Sequence, residues 1–156
     1  LHGSENSRNH ADRAYGLEQS LSASGIEVLR SQSCGSTRSG AEKQMEQLLK
    51  QWDSIGVICA TDDDIAIGAS RALRASGREI PIVSFDGTPE VLKLIQKGEI
   101  AGAIVQDAYE MGVDCVDTAL TLYRGDEAED VSVPMALVTE RTAGYCLSQM
   151  QEQIQD

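Results

Sequence analysis

Cys59-Ala60-Thr61-Asp62-Asp63-Asp64-Ile65-Ala66-Ile67-Gly68-Ala69 passes in three residues from a buried-strand pattern to a helix pattern. The apolar run Ile55 to Cys59 has the length of a strand, stops at acids, and is followed at once by helix-forming sequence. The same change recurs where Ile82-Val83-Ser84-Phe85 meets Asp86-Gly87-Thr88-Pro89, and where Gly102-Ala103-Ile104-Val105 meets Gln106-Asp107. Strands alternating with helices imply βαβ units and hence an α/β fold, an open and mostly parallel sheet with helices on both faces. Such a sheet carries its ligands at the carboxyl ends of its strands. Asp62, Asp86 and Gln106 are therefore expected along one edge of one sheet.

The flanking segments extend this pattern. Ala11, Ala14, Tyr15, Leu17 and Leu21 recur at helical spacing between Ser7 and Ser24, and Gly25 supplies a stop. Ile26-Glu27-Val28-Leu29 predicts a short strand, Ser31 to Ser36 a polar loop, and Arg38 to Trp52 an amphipathic helix. A helix from Asp62 to Ser76 is ended by Gly77. Thr88-Pro89-Glu90 combines a capping hydroxyl, proline at the first helical position and an acid in the first turn, and starts a helix that reaches Lys97 before Gly98. Ile100 to Val105 predicts a strand, Tyr109 to Arg124 a helix, and Val131 to Val138 a last extended segment interrupted at Pro134. Tyr145, Leu147, Met150 and Ile154 predict a terminal helix between Thr142 and Asp156, either a surface helix or the start of a linker.

Composition narrows the function. The 156 residues fit one domain, and 25 acidic against 13 basic residues give a net charge of -12. That balance argues against contact with nucleic acid, which rests on clustered Lys and Arg. No run approaches the ~20 apolar residues of a membrane span. Cys34, Cys59, Cys115 and Cys146 lack CxxC pairing and are expected to be mostly buried thiols, with one disulfide left open. No GxGxxG or GxxxxGK[ST] phrase follows a strand, so no nucleotide cofactor is expected. His2 and His10 have no partner at recognisable spacing, which leaves a hydrolase without its base. Asp62, Asp63 and Asp64 read first as acids that cap and complement a helix start, and metal binding by Asp62 and Asp64 is the weaker reading.

The three strand-end phrases, Phe85-Asp86-Gly87-Thr88-Pro89 above all, resemble the sugar-binding branch of the type I periplasmic substrate-binding proteins, especially ribose-binding-like members. The likeness runs from about Gly3 to about Thr139. It implies a Rossmann-like, carboxyl-terminal lobe with its hinge-crossing segments over residues 1–139, and a terminal helix or linker over 140–156. The helix at about 109–123 would pack on, or belong to, an amino-terminal lobe that this sequence lacks. Its apolar side, Met111, Cys115, Ala119 and Leu122, is then expected to fold back on the sheet or to pair with a second copy as a homodimer. Leu1-His2-Gly3 reads as the tail of a strand. The implied protein is not an enzyme. It is a solute-binding receptor of an ABC-type sugar or polyol importer, located outside the cytoplasm in the periplasm or on the outer face of the cell membrane. The chain carries no signal segment, which says little about compartment. The alternatives are the ligand-sensing domain of a membrane sensor and a regulator of the lac-repressor type.

The resemblance also assigns ligand contact to Asp62, Asp86 and Gln106. It departs from the ribose pattern at Ala11, where such members carry an Arg; Arg8, Asn9 or Arg13 are the candidates to replace it. No aromatic ring stands near Ser36, where sugar binders place one, and Trp52 reads as packing. Two facing carboxylates need bonding or neutralisation. The expected ligand is therefore small and highly hydroxylated or cationic: a sugar, polyol, amino sugar or amine.

Overall fold

Among the described residues ten elements follow one another. They are helix α1 (Arg8–Ala23), α2 (Arg38–Gln51), strand β1 (Ile58–Cys59), α3 (Asp63–Ser76), β2 (Ile82–Asp86), α4 (Pro89–Gln96), β3 (Gly102–Gln106), α5 (Ala108–Tyr123), β4 (Met135–Thr139) and α6 (Glu140–Gln155). The computed structural model describes every residue except Glu5 and Asp156, and the side chains of Ile154 and Gln155 also lie outside the described set. The expected apolar contact of Ile154 falls there.

The sheet has the order β1-β2-β3-β4. The first three strands are parallel and β4 runs antiparallel to β3, with Gly102 opposite Thr139 and Gln106 opposite Met135. The α/β reading of the sequence holds. Local chemistry sets the element ends. The Thr37 hydroxyl accepts from the Gly40 amide to open α2, and the Asp62 carboxylate accepts from the Ile65 amide to open α3. Gly77 closes α3 with φ 67 in the left-handed region. The last turn of α2 is closed from outside: the Arg78 guanidinium donates to the carbonyls of Leu49, Trp52 and Asp53.

The core lies between the sheet and α2, α3, α4 and α6, with Met45, Ile65, Ile82, Leu92 and Ile95 fully buried. Each large aliphatic side chain hidden this way stabilises the fold by about 2 kcal/mol relative to leaving it exposed. Gly68 allows α2 and α3 to touch, since a Cβ there would strike the Arg38 carbonyl and the Ala41 methyl.

Two expectations, one on strands and one on buried cysteines, are corrected, and two that were left open are narrowed. Residues 26–29 do not form a strand, and the Ile55–Cys59 run pairs with β2 only over Ile58–Cys59, because β2 itself begins at Ile82, directly after Pro81. α5 does not fold back on the sheet. It has no buried residue, and Tyr109, Val116 and Leu122 are exposed. The chain leaves β3 at Gln106 and re-enters beside it at Met135, so α5 stands beyond the strand ends. The terminal segment Glu140–Gln155 is a helix in which Ala143 is fully buried, and Cys146, Leu147 and Met150 pack against the core. The four cysteines are free thiols and only Cys34 is buried; Cys115 sits exposed on α5.

Candidate functional site

Three consecutive acids at the end of β1 take three different directions. Asp62 caps α3, with Oδ1 accepting from the Ile65 amide at 2.7 Å, while Oδ2 lies 3.5 Å from His10 Nε2. Asp63 turns inward, where it is 4% exposed and accepts from the Ser84 hydroxyl at 2.8 Å and from the Thr88 amide. Asp64 points to solvent and pairs with Arg38 at 2.7 Å, which also reaches Glu90 at 2.9 Å. Asp63 was expected to be an ordinary capping acid. It instead ties the start of α3 to the turn after β2, a role that three identical neighbours in a sequence do not separate.

That turn holds Asp86. Its φ is 89 and that of Gly87 is 80, so two successive residues adopt left-handed backbone, which is unfavourable for a residue with a side chain. Gly87 has no alternative, because a Cβ there would strike the Val105 side chain. The Asp86 carboxylate accepts from Arg13 at 2.8 Å. The other guanidinium nitrogen of Arg13 donates to the Thr61 carbonyl at 2.8 Å, and the group lies 5.0 Å above the Phe85 ring. Arg13 therefore belongs to the strand-end edge and does not run along the helix surface.

His10, discounted on spacing, also lies at this edge. Nδ1 is 2.9 Å from Thr61 Oγ1 and Nε2 is 3.1 Å from Ser36 Oγ. Ser36 has φ 52 and its oxygen accepts from the Ser4 amide. The contact between residues 10 and 36 joins the first turn of α1 to the loop before α2, a meeting for which the sequence carries no signal. Ser36, His10 and Asp62 do not form a nucleophile relay, since serine and carboxylate approach the same ring nitrogen. Thr61, on the other nitrogen, is 1% exposed.

Gln106 is half-buried at the end of β3, and Asn9 is exposed in the first turn of α1. Trp52 follows the last residue of α2, ahead of β1, and so stands near the amino ends of the strands. Burial raises the pKa of the Asp62 carboxyl above the ordinary value, against the opposing pull of the Ile65 amide and His10, and the Asp86 charge adds to the rise. Burial likewise raises Asp63, opposed by its bonds from Thr88 and Ser84. Among the described residues no group of three His, Cys, Asp or Glu is placed to hold a metal ion. No helix among the described residues is long and apolar enough to cross a membrane.

Carboxylates, a carboxamide, an imidazole and a guanidinium thus gather at the ends of parallel strands, the place where open α/β sheets carry their ligands. Residues 1–127 match the periplasmic binding protein domain, and the chain belongs to that family. The family is one of sugar-binding transport receptors and not of enzymes. Over 130 residues the chain is 31% identical to the ribose import binding protein RbsB of Haemophilus influenzae, covering 83% of this chain and 44% of that protein. An ABC transporter solute binding protein from Bacillus halodurans, solved with bound myo-inositol, superposes with a TM-score of 0.89 at 26% identity, over 95% of this chain and 53% of that one. A galactofuranose binding protein gives a TM-score of 0.87 at 26% identity, over 98% and 55%. The chain thus spans about half the length of the proteins it matches.

Proposed function

We propose that this chain is the carboxyl-terminal lobe of a solute receptor for an ABC-type importer, and that it supplies half of a site for a small hydroxylated ligand. The observation that carries this reading is Asp86, kept in an unfavourable backbone conformation with its carboxylate fixed by Arg13 at the strand-end edge. A charged acceptor held in place strengthens bonds from ligand hydroxyls. Asp62 and Gln106 are the further contacts, Arg13 orients Asp86, and Asn9 lies at the rim. Arg13 neutralises Asp86 but only an imidazole faces Asp62, so an amino sugar or amine suits the Asp62 end of the site as a polyol suits the rest.

The facing half of the site is assigned to an amino-terminal lobe, and closure of the two lobes selects the liganded state through contacts made only there. The exposed apolar side chains of α5, such as Val116 and Leu120, pack on that lobe; a homodimer through α5 is the competing arrangement. The receptor works outside the cytoplasmic membrane, as the periplasmic relatives do. The test is calorimetric titration of the two-lobed protein with D-ribose, myo-inositol and glucosamine. Binding of at least one, lost on Asp86→Ala with the fold intact, supports the reading. Unchanged affinity in Asp86→Ala removes Asp86 from the site, and micromolar binding by this lobe alone counts against a half-site. Sedimentation of the two-lobed protein as a monomer excludes the dimer.

A further inference from the structure

His10 stands in the first turn of α1 with its ring enclosed: its side chain is 14% exposed, and that of Asp62, which it faces, is 15% exposed. A Cβ at Gly3 would strike Cδ2 and Nε2 of the ring, so the chain passes close over the imidazole and holds it in place. Nδ1 meets Thr61, and Nε2 meets both Ser36 and Asp62 Oδ2.

The hydrogens on this ring follow from what its neighbours already accept. Thr61 Oγ1 takes the Gly3 amide at 3.2 Å and Ser36 Oγ takes the Ser4 amide at 3.1 Å, so each hydroxyl keeps one lone pair and its own hydrogen. Asp62 gives Oδ1 to the Ile65 amide, and among the described residues only Nε2 approaches Oδ2. A carboxylate only accepts, so the nitrogen beside it carries a hydrogen, and in the neutral ring Nδ1 accepts from Thr61. A second proton enters at Nδ1 and reverses that bond, with the Thr61 oxygen as acceptor. The ring thus keeps an oxygen on each nitrogen whether neutral or charged, and histidine is the side chain that changes charge between about pH 5 and 8.

The other charges around it are committed. Arg13, one turn along α1, is held by the Thr61 carbonyl and by Asp86 at the end of β2. Arg38 of α2 is bound to Asp64 and Glu90. The Cys34 thiol is pushed up in pKa by burial and stays neutral. Asp62 has no such fixed partner, and the nearby Asp86 and Asp64 carboxylates both act against its charge. Its balance rests on His10.

We propose that His10 is a positioning residue that sets the ligand charge the site accepts: as a neutral imidazole it leaves the Asp62 carboxylate to a ligand ammonium, and as an imidazolium it cancels that carboxylate and turns the same place over to an uncharged hydroxyl. This rests on Asp62 being a solute contact. An ammonium seated on Oδ2 lies beside Nε2, so the two cations oppose each other. By linkage, binding an amine expels the ring proton, whereas binding a polyol does not.

The test is calorimetric titration of the two-lobed protein with glucosamine and with myo-inositol at about pH 5.5 and about pH 7. The preference for glucosamine over myo-inositol should rise by about tenfold across that interval. Near about pH 6, glucosamine binding should release protons, read from the heats in two buffers of different ionisation enthalpy. In His10→Gln, which keeps an N–H for Oδ2, the preference should no longer depend on pH, and Asp62→Asn should lose the glucosamine preference at both values. A pH-dependent preference that survives in His10→Gln belongs to protonation of Asp62 and overturns the proposal. So does a parent whose preference stays fixed, or which binds myo-inositol alone at both values. Failure of the parent to bind either ligand at either pH defeats the solute-site reading itself.

Discussion

Replacing Asp63 by alanine tests the latch between α3 and the Asp86 turn. The carboxylate is 4% exposed and accepts from the Thr88 amide at the start of α4 and from Ser84. Ser84 has other acceptors within reach, the carbonyls of Asp62 at 3.2 Å and Phe85 at 3.3 Å, so its hydroxyl is not orphaned. The Thr88 amide loses a bond to a charged acceptor, worth about 1.5–3 kcal/mol. The first turn of α3 also loses an acid, worth about 0.3–1 kcal/mol. Release of a carboxylate from an unfavourable buried setting offsets part of this, which leaves a net loss of about 2 kcal/mol. Asp63→Asn keeps an acceptor for Thr88 and a polar partner for Ser84 without the buried charge, and should stay within about 1 kcal/mol of the parent. Urea unfolding at pH 7, followed by circular dichroism, measures both. Equal stability of the alanine and asparagine variants, or a loss below about 0.5 kcal/mol for alanine, would refute the latch.

Asp62→Asn retains a good helix cap and removes a charge that burial disfavours. Because burial raises the folded-state pKa of this carboxyl above 3.8, the folded chain binds more protons than the unfolded one just above that value, and its contribution to stability rises as pH falls from neutral. The asparagine variant should therefore gain most over the parent at pH 7 and lose that advantage below about pH 4, as read by urea midpoints across the range. Arg13→Lys should not replace arginine, since one ammonium does not span Thr61 and Asp86 as the guanidinium fork does; a loss of about 1–2 kcal/mol is expected, and parent-like stability would contradict the geometry. Gly68→Val drives a side chain into α2 and should cost about 3 kcal/mol or prevent folding, measured by thermal melting. Asp86→Gly relieves its backbone but also removes the carboxylate that Arg13 bonds, so stability should stay within about 1 kcal/mol of the parent while solute binding in the two-lobed protein is abolished, as read by urea midpoints and calorimetry.

The sheet was legible because each strand ends in a polar residue with a helix start directly behind it. Asp62, Asp86 and Gln106 follow from that grammar alone, without knowledge of any contact. Arg13 and His10 do not, because both reach the edge from α1 across many residues of sequence and are fixed by Thr61, Ser36 and Asp86. The inward turn of Asp63 was hidden for a different reason: a helix start accepts acids at several positions, and only packing decides which one is enclosed. Ile26 to Leu29 has a strand's composition and no strand's bonds, which shows that β-propensity acts through a neighbour.

The antiparallel pairing of Gln106 with Met135 makes the intervening excursion topologically detachable. Residues 107–134 leave and return through adjacent positions, and α5 within them contributes no buried side chain. A two-residue Asn-Gly turn would close β3 onto β4 as an ordinary hairpin. A shortened lobe built this way retains Asp62, Asp86 and Gln106 in a single continuous unit, and it provides a starting scaffold for grafting this strand-end edge onto other proteins.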